Sequence, residues 1–101
     1  MENKDLKKAI ELLGEHRAAF VSGEKTLVSD ARGVRFLMSL IKNGTSVSDY
    51  VAADRVVGKA SAFLYAYLDV KTLHAFLTTH EAIAYLEKSG VIFTYDKAVD
   101  V

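Results

Sequence analysis

The 101-residue chain contains no cysteine and no proline. Without cysteine, the protein cannot form disulfides, thiolate metal sites or thiol nucleophiles, and redox switching through thiols is excluded as well. Without proline, the ends of its helices must be set by glycine and by capping side chains.

The chain also lacks an excess of charge of either sign, because 13 Lys and Arg residues balance 13 Asp and Glu residues. Without a basic excess to contact phosphates, a nucleic-acid partner is not expected. No apolar run approaches the ~18 residues that would span a bilayer, so no membrane contact is expected. Residues 1–5 are charged and contain no apolar segment, so we expect no signal peptide and a cytoplasmic location.

The remaining composition is typical of a soluble globular protein, with 50% apolar and 26% charged residues. A chain of this length is expected to form one domain, residues 1–101, with one hydrophobic core.

Hydrophobic periodicity and turn signals predict eight elements in the order α-β-β-α-α-β-α-β. Helices are predicted over residues 3–14, 33–43, 54–69 and 80–89, and strands over 17–22, 25–30, 73–77 and 91–95. Residues 45–53 are predicted to form a loop, of a length that is often functional. A hairpin followed by a strand–helix–strand unit indicates an α/β fold with a mixed sheet and helices on its faces.

The helix predicted over residues 54–69 is apolar almost all the way round, which is typical of a buried helix. Asp54 is its expected N-cap. Thr78 and Glu81 match a capping box at the start of the next helix.

The run Asp54-Arg55-Val56-Val57-Gly58-Lys59-Ala60 resembles DUF1893, a family of small bacterial and archaeal proteins of unknown function. The resemblance covers nearly the whole chain and includes the Leu86-Glu87-Lys88-Ser89-Gly90 turn into the last strand. The element order is similar to that of the cytidine deaminase-like fold. This similarity implies a three-layer sandwich in which helices cover both faces of the mixed sheet.

Deaminases of that fold hold zinc with a His/Cys-Ala-Glu motif at the start of the buried helix and a Pro-Cys-x-x-Cys motif at the start of the next helix. Val57-Gly58-Lys59 and Thr79-His80-Glu81 stand at the corresponding places here. We therefore expect no metal and no cofactor, and zinc-dependent deamination is argued against. A shared fold does not carry the chemistry with it.

Lys59 is the first candidate for a ligand contact, because a cation in the first turn of a helix opposes the helix dipole by ~0.3–1 kcal/mol. An anion bound at this helix N-terminus would explain its presence. Gly58 would let the ligand approach the backbone, and Ser61 could add a hydroxyl group. Alternatively, Lys59 pairs with Asp54 or Asp49, or extends into water.

Residues at the start of the fourth helix are expected near the same place if the fold is as predicted. His80 and Glu81 could act as acid and base, or hold a metal with Asp54. Alternatively, they are only a cap and an exposed side chain. The complete set of predicted ligand-binding residues is Asp54, Gly58, Lys59, Ser61, Thr79, His80 and Glu81.

Three functions are compatible with these features. The favoured one is a non-catalytic module that binds a small anionic ligand, for example a nucleotide-like one. The second is an enzyme with non-zinc chemistry in the same pocket. The third is a structural protein that self-associates as a homo-oligomer, with a dimer expected, through an apolar patch that includes Tyr65, Phe76 and Val101.

Overall fold

The computed structural model describes residues 3–100 and contains nine helices and strands in that range. They are α1 (Lys4–Leu12), β1 (Ala18–Ser22), β2 (Lys25–Ser29), α2 (Arg35–Lys42), β3 (Val51–Val57), α3 (Lys59–Tyr67), β4 (Thr72–Thr79), α4 (His80–Lys88) and β5 (Ile92–Val99). All eight predicted elements occur in the predicted order. A ninth, β3, lies between α2 and α3.

The strands form one five-stranded sheet in the order β2-β1-β3-β4-β5. Strand β1 is antiparallel to both β2 and β3, whereas β3, β4 and β5 are parallel to one another. The predicted mixed sheet and α/β class are therefore confirmed. In this register, Asp54 of β3 lies opposite Ala18 of β1 and Ala75 of β4.

Helices cover both faces of the sheet. On one face, Ala9 of α1 packs with Ala19, Val21 and Ala53 of β1 and β3. On the other face, α2, α3 and α4 bury the larger core, whose most buried large side chains include Phe20, Tyr65, Leu73 and Leu86. The result is three layers, with one helix on one side and three on the other.

The predicted hairpin is confirmed, with Gly23 in its turn at φ +64°, a conformation that favours glycine. The N–H of Gly23 donates to the Asp5 carboxylate over 3.0 Å. This bond ties α1 to the hairpin.

The central strand β3 is where the prediction was wrong. Residues 54–57 are the end of β3 rather than the start of a helix, and Gly58, not Asp54, is the N-cap of α3. The predicted loop over 45–53 likewise ends at Tyr50. Ala52, Ala53 and Val57 are fully buried between two helical layers. A strand buried on both faces loses its polar–apolar alternation and cannot be distinguished from a buried helix by periodicity.

The prediction of the capping residue of α4 was also wrong, by one position. Thr79 is the N-cap, and its hydroxyl accepts a hydrogen bond from the N–H of Ala82 over 3.1 Å. Thr78 is still part of β4 and is fully buried, where its hydroxyl donates to the carbonyl of Val57 over 2.6 Å. Glu81 therefore occupies the second helical position, one residue short of the capping-box geometry.

The predicted apolar patch does not form as expected. Tyr65 is fully buried in the larger core, where its ring packs on Phe20. Phe76 is exposed over 55% of its surface, and Val101 lies outside the described residues. No helix within residues 3–100 combines the length and the hydropathy needed to cross a membrane.

Candidate functional site

The parallel strands β3 and β4 end at the same edge of the sheet, and each is followed at once by a helix. Helix α3 begins two residues after Val57, with Gly58 between them, and α4 begins directly after Thr79. Ligands of α/β proteins bind preferentially beyond the carboxyl ends of parallel strands. The predicted site residues in these two turns are thus placed at the edge where a ligand is expected.

A pocket of about 280 Å³ opens at this edge. Three of the predicted residues, Asp54, Gly58 and Ser61, line it. Three arginines also line it: Arg17, which precedes β1, Arg32, which precedes α2, and Arg55 of β3. The pocket therefore combines three arginines, one carboxyl group and the first turn of a helix. We refer to it as the Asp54 pocket.

Asp54 is half-buried and points towards α3. Its Oδ2 accepts a hydrogen bond from the hydroxyl of Tyr65 over 2.7 Å, and its Oδ1 accepts a weaker one from the N–H of Val56 over 3.3 Å. Burial raises the pKa of Asp54 from 3.8 to about 6, although these hydrogen bonds, the N–H of Arg55 and the charge of Arg17 act in the opposite direction. Desolvation thus outweighs the attractive contacts.

Tyr65 stays protonated beside this carboxyl group. Its side chain is fully buried, and burial followed by the neighbouring Asp54 charge raises the pKa of the Tyr65 phenol well above its usual value of 10. The phenol is therefore a fixed donor to Asp54. Its ring stacks on Phe20 with 5.8 Å between ring centroids, which holds the hydroxyl in place.

The first turn of α3 has no capping side chain. Gly58 is the N-cap and offers none, whereas α1 and α4 are capped by Asn3 and Thr79. The N–H groups of a first turn have no partner within the helix and carry partial positive charge. A methyl group built on Gly58 would meet no atom within 4 Å, so the space above this turn is open.

Lys59 does not line the Asp54 pocket. Its ammonium lies 3.7 Å from a carboxylate oxygen of Glu81, and both side chains are 69% exposed. Lys59 therefore forms an ion pair, as one of the two alternatives to ligand binding predicted, but its partner is Glu81 rather than Asp54 or Asp49. Such an exposed pair contributes little to stability, about 0–1 kcal/mol.

The remaining predicted residues lie at the start of α4 and outside the pocket. Thr79 caps that helix, and the Nδ1 atom of His80 is paired with the carboxylate of Asp100. The structure thus brings Asp54, Gly58 and Ser61 together, while Lys59, Thr79, His80 and Glu81 form a separate group. Their role in binding stays a prediction.

The residues at the two deaminase motif positions do not fit a zinc site of that type. A deaminase zinc takes two or three thiolates, and this chain has none. Of the groups that could replace them, Glu81 pairs with Lys59 and His80 with Asp100. Within residues 3–100, no three His, Asp or Glu side chains are grouped so that they could share a metal ion.

Residues 8–100 match the protein family described as a domain of unknown function, DUF1893. The chain belongs to the DUF1893 family. The crystal structure of a DUF1893 family protein from Thermotoga maritima is similar to it with a TM-score of 0.86 and 22% sequence identity. The match covers 98% of this chain and 69% of that one. No curated protein matches the sequence.

The resemblance to DUF1893 drawn from residues 54–60 is thus confirmed. At 22% identity, the Thermotoga maritima structure supports the fold of this DUF1893 domain and nothing about its ligands. The assignment to the cytidine deaminase-like fold stays a prediction.

None of the three arginines of the pocket is among the site residues predicted from the sequence. In the sequence, Arg17 is the first residue of a predicted strand, and Arg32 directly precedes a predicted helix. Arg17 reaches the site because β1 pairs with β3, so that the N–H of Arg55 donates to the carbonyl of Arg17 over 2.9 Å. No spacing within the sequence signals this pairing, since β3 itself was not predicted.

Proposed function

We propose that this DUF1893 domain binds a small anionic ligand, of the phosphate-bearing kind, in the Asp54 pocket. One observation carries the proposal: Arg17, Arg32 and the uncapped first turn of α3 line the same small pocket. Arginine guanidinium groups match the geometry of phosphate and carboxylate oxygens, and a helix N-terminus adds N–H donors. A nucleotide-like ligand is one member of this class.

The charges of the pocket support an anion over a neutral ligand. Three arginines and one carboxyl group line the pocket, and the raised pKa of Asp54 means that this carboxyl group loses its charge as the pH falls towards 6. The phosphate of a ligand would therefore meet a net positive site. The proposal moves the main counter-charge from Lys59 to Arg17 and Arg32.

The proposal predicts that phosphate-bearing ligands stabilise the protein through these arginines. Titration with inorganic phosphate, pyrophosphate and AMP is expected to raise the melting temperature, since a ligand at a hundredfold excess over its Kd adds about 2.7 kcal/mol to the free energy of unfolding. Arg17→Gln and Arg32→Gln should each weaken binding at least about tenfold, the loss of one charge-assisted contact. Thermal shift and calorimetry measure both effects.

Arg35→Gln is the matched control, because Arg35 is an exposed arginine three residues from Arg32 that does not line the pocket. Gly58→Ser tests the helix turn independently. Its hydroxyl would supply the missing cap, which raises stability while it competes with the ligand for the same N–H groups. No shift with any of the three ligands, or equal shifts in all four variants, would refute the proposal. Lys59→Ala in the same series shows whether that lysine takes part.

A second candidate function, catalysis without zinc, is favoured by Asp54 itself. A carboxyl group in a pocket with a pKa of about 6 is suited to accept and return protons near neutral pH. Ser61, 8% exposed, supplies a hydroxyl group in the same pocket. Catalysis requires that a ligand be converted, so ³¹P NMR of the ligands after incubation with the protein separates an enzyme from a binding module.

We also propose that the protein self-associates through α2 and α3 rather than through the patch first predicted. Met38, Phe63 and Tyr67 are 50%, 56% and 69% exposed, and Met38 and Phe63 line an open apolar groove between the two helices. Exposed apolar surface of this kind is typical of protein interfaces.

Light scattering is expected to show a dimer for the wild-type chain and a monomer for Phe63→Asp. Val28→Asp is the control, because Val28 is an apolar residue of β2, 38% exposed and outside the groove. A monomeric wild type, or equal masses for all three proteins, would contradict the proposed interface.

A further inference from the structure

A second pocket lies on the opposite face of the sheet, between α1 and the parallel strands. Its volume is about 390 Å³, and Ile10, Leu13 and Gly14 form its wall on the α1 side. Its floor consists of Arg55, Phe76 and Asp96, one residue each from β3, β4 and β5. We call these three residues the charged row.

The register of the sheet explains this row. Val56 lies opposite Leu77, and Leu77 lies opposite Lys97. The residues directly before these three, which form the charged row, therefore also lie side by side on neighbouring strands. Neighbouring strands are about 4.8 Å apart, and the row therefore spans about 10 Å at the backbone. It presents a cation at one end, an aromatic ring in the middle and an anion at the other end.

The cation of the row is held in place by the backbone. The Nε and Nη2 atoms of Arg55 both donate to the carbonyl of Leu13, over 3.0 and 2.8 Å. A guanidinium has five N–H groups, so this contact leaves three to donate to another acceptor. Because the side chain is already fixed, a carboxylate that binds it costs less conformational entropy.

The anion of the row is held by a buried histidine. His74 is 8% exposed, and its Nε2 lies 3.2 Å from Oδ2 of Asp96, while its Nδ1 lies 2.7 Å from the hydroxyl of Thr94. A neutral imidazole satisfies both contacts if Nε2–H donates to Asp96 and Nδ1 accepts from Thr94. Oδ1 of Asp96 then stays available to accept hydrogen bonds.

The middle of the row is apolar and open. Phe76 is exposed over 55% of its surface although β4 is an interior strand of the sheet. Helix α1 covers mainly β1 and β3, so this part of the sheet face lacks a helical cover. Among the described ion pairs, none joins Arg55 to Asp96. Beside its contact with Leu13 or His74, each side chain therefore keeps hydrogen-bonding groups that can meet the opposite charge of a ligand.

From these contacts we infer that the charged row binds a small zwitterion whose carboxylate and ammonium are separated by an apolar stretch, such as a dipeptide or an ω-amino acid. Its carboxylate pairs with the free N–H groups of Arg55, its ammonium with Asp96, and its apolar part packs on Phe76 and Leu13. Charge complementarity at both ends distinguishes this ligand from the anion of the Asp54 pocket.

The test is a ¹⁵N NMR titration of the full chain with leucyl-leucine and with 6-aminohexanoate. We expect chemical-shift changes in α1, β4 and β5, centred on Phe76 and Asp96. N-acetyl-leucyl-leucine and leucyl-leucine amide, which lack one charge each, should bind at least about tenfold more weakly. These blocked ligands test the two ends without any change to the protein.

Asp96→Asn should weaken leucyl-leucine binding by a similar factor. The amide oxygen can still accept from His74, so the variant removes the charge and keeps the fold. Asp49→Asn is the matched control, since Asp49 is exposed and does not line this pocket. The inference fails if neither probe shifts these resonances at concentrations up to roughly 10 mM, or if the shifts map to Gly58 and Ser61 instead. It also fails if blocked and free ligands bind equally, or if Asp96→Asn binds leucyl-leucine as well as the control does.

Discussion

Replacing Asp54 by asparagine is expected to raise the free energy of unfolding by about 1–3 kcal/mol at pH 8 and to change it little at pH 4. The pKa of Asp54 is about 6 in the folded protein against 3.8 for an ordinary aspartate. Ionising it in the folded state therefore costs more than in the unfolded state. Asparagine removes that cost, while its amide oxygen still accepts from Tyr65.

The sign follows from proton binding. Between pH 4 and pH 6, the folded state holds the Asp54 proton more tightly than the unfolded state, so stability falls as the pH rises through this window. Well above pH 6, Asp54 is ionised in both the folded and the unfolded state, and the loss of stability is complete. Wild-type stability should therefore decline across the window by an amount that is missing in Asp54→Asn. Urea unfolding at several pH values measures both curves.

Asp49→Asn makes the same change of charge at an exposed position and should leave the pH dependence as in the wild type. An Asp54→Asn variant that is no more stable than the wild type at pH 8 would show that the carboxyl group is not desolvated. A stabilising substitution of this kind is typical of residues kept for function at a cost in stability.

Tyr65→Phe is expected to have the opposite effect and to lower the free energy of unfolding by about 1–3 kcal/mol at pH 8. The phenylalanine ring keeps the stacking on Phe20, but the 2.7 Å hydrogen bond to Asp54 is lost. Because this bond stabilises the charged carboxylate more than the neutral acid, the cost should be smaller at pH 4. The pKa of Asp54 should rise further.

Tyr67→Phe is the control, since Tyr67 lies on the same helix and is 69% exposed. Tyr65→Phe should cost less in an Asp54→Asn background than it does in the wild type, because the charged acceptor is already gone. Purely additive effects in this double-mutant cycle would show that Tyr65 and Asp54 do not interact.

The sequence predicts the fold well wherever an element has one buried face. The N-terminal helix and the amphipathic α2 and α4 have such faces, and all were located within a few residues. Strand β3 differs from these helices because helices cover both of its faces. The same continuous apolar character that makes it the centre of the sheet concealed it in the sequence.

The candidate site was predicted in part for a related reason. Asp54, Gly58 and Ser61 are close together in sequence, and their grouping needs only a strand-to-helix turn. Arg17 and Arg32 reach the pocket through the pairing of β1 with β3 and through the loop before α2. Contacts between distant segments depend on the tertiary register, which local patterns do not encode.

The position of β3 also has a consequence for how the chain folds. Its partner β1 lies far earlier in the chain, with Val21 paired to Val51 and Ala18 to Asp54, so the sheet cannot be completed until a long loop has closed. The chain has no proline, and slow isomerisation of X–Pro bonds, which takes tens of seconds, is absent from refolding. The rate-limiting step is therefore expected to be the docking of β3 between β1 and β4, seen as a single refolding phase.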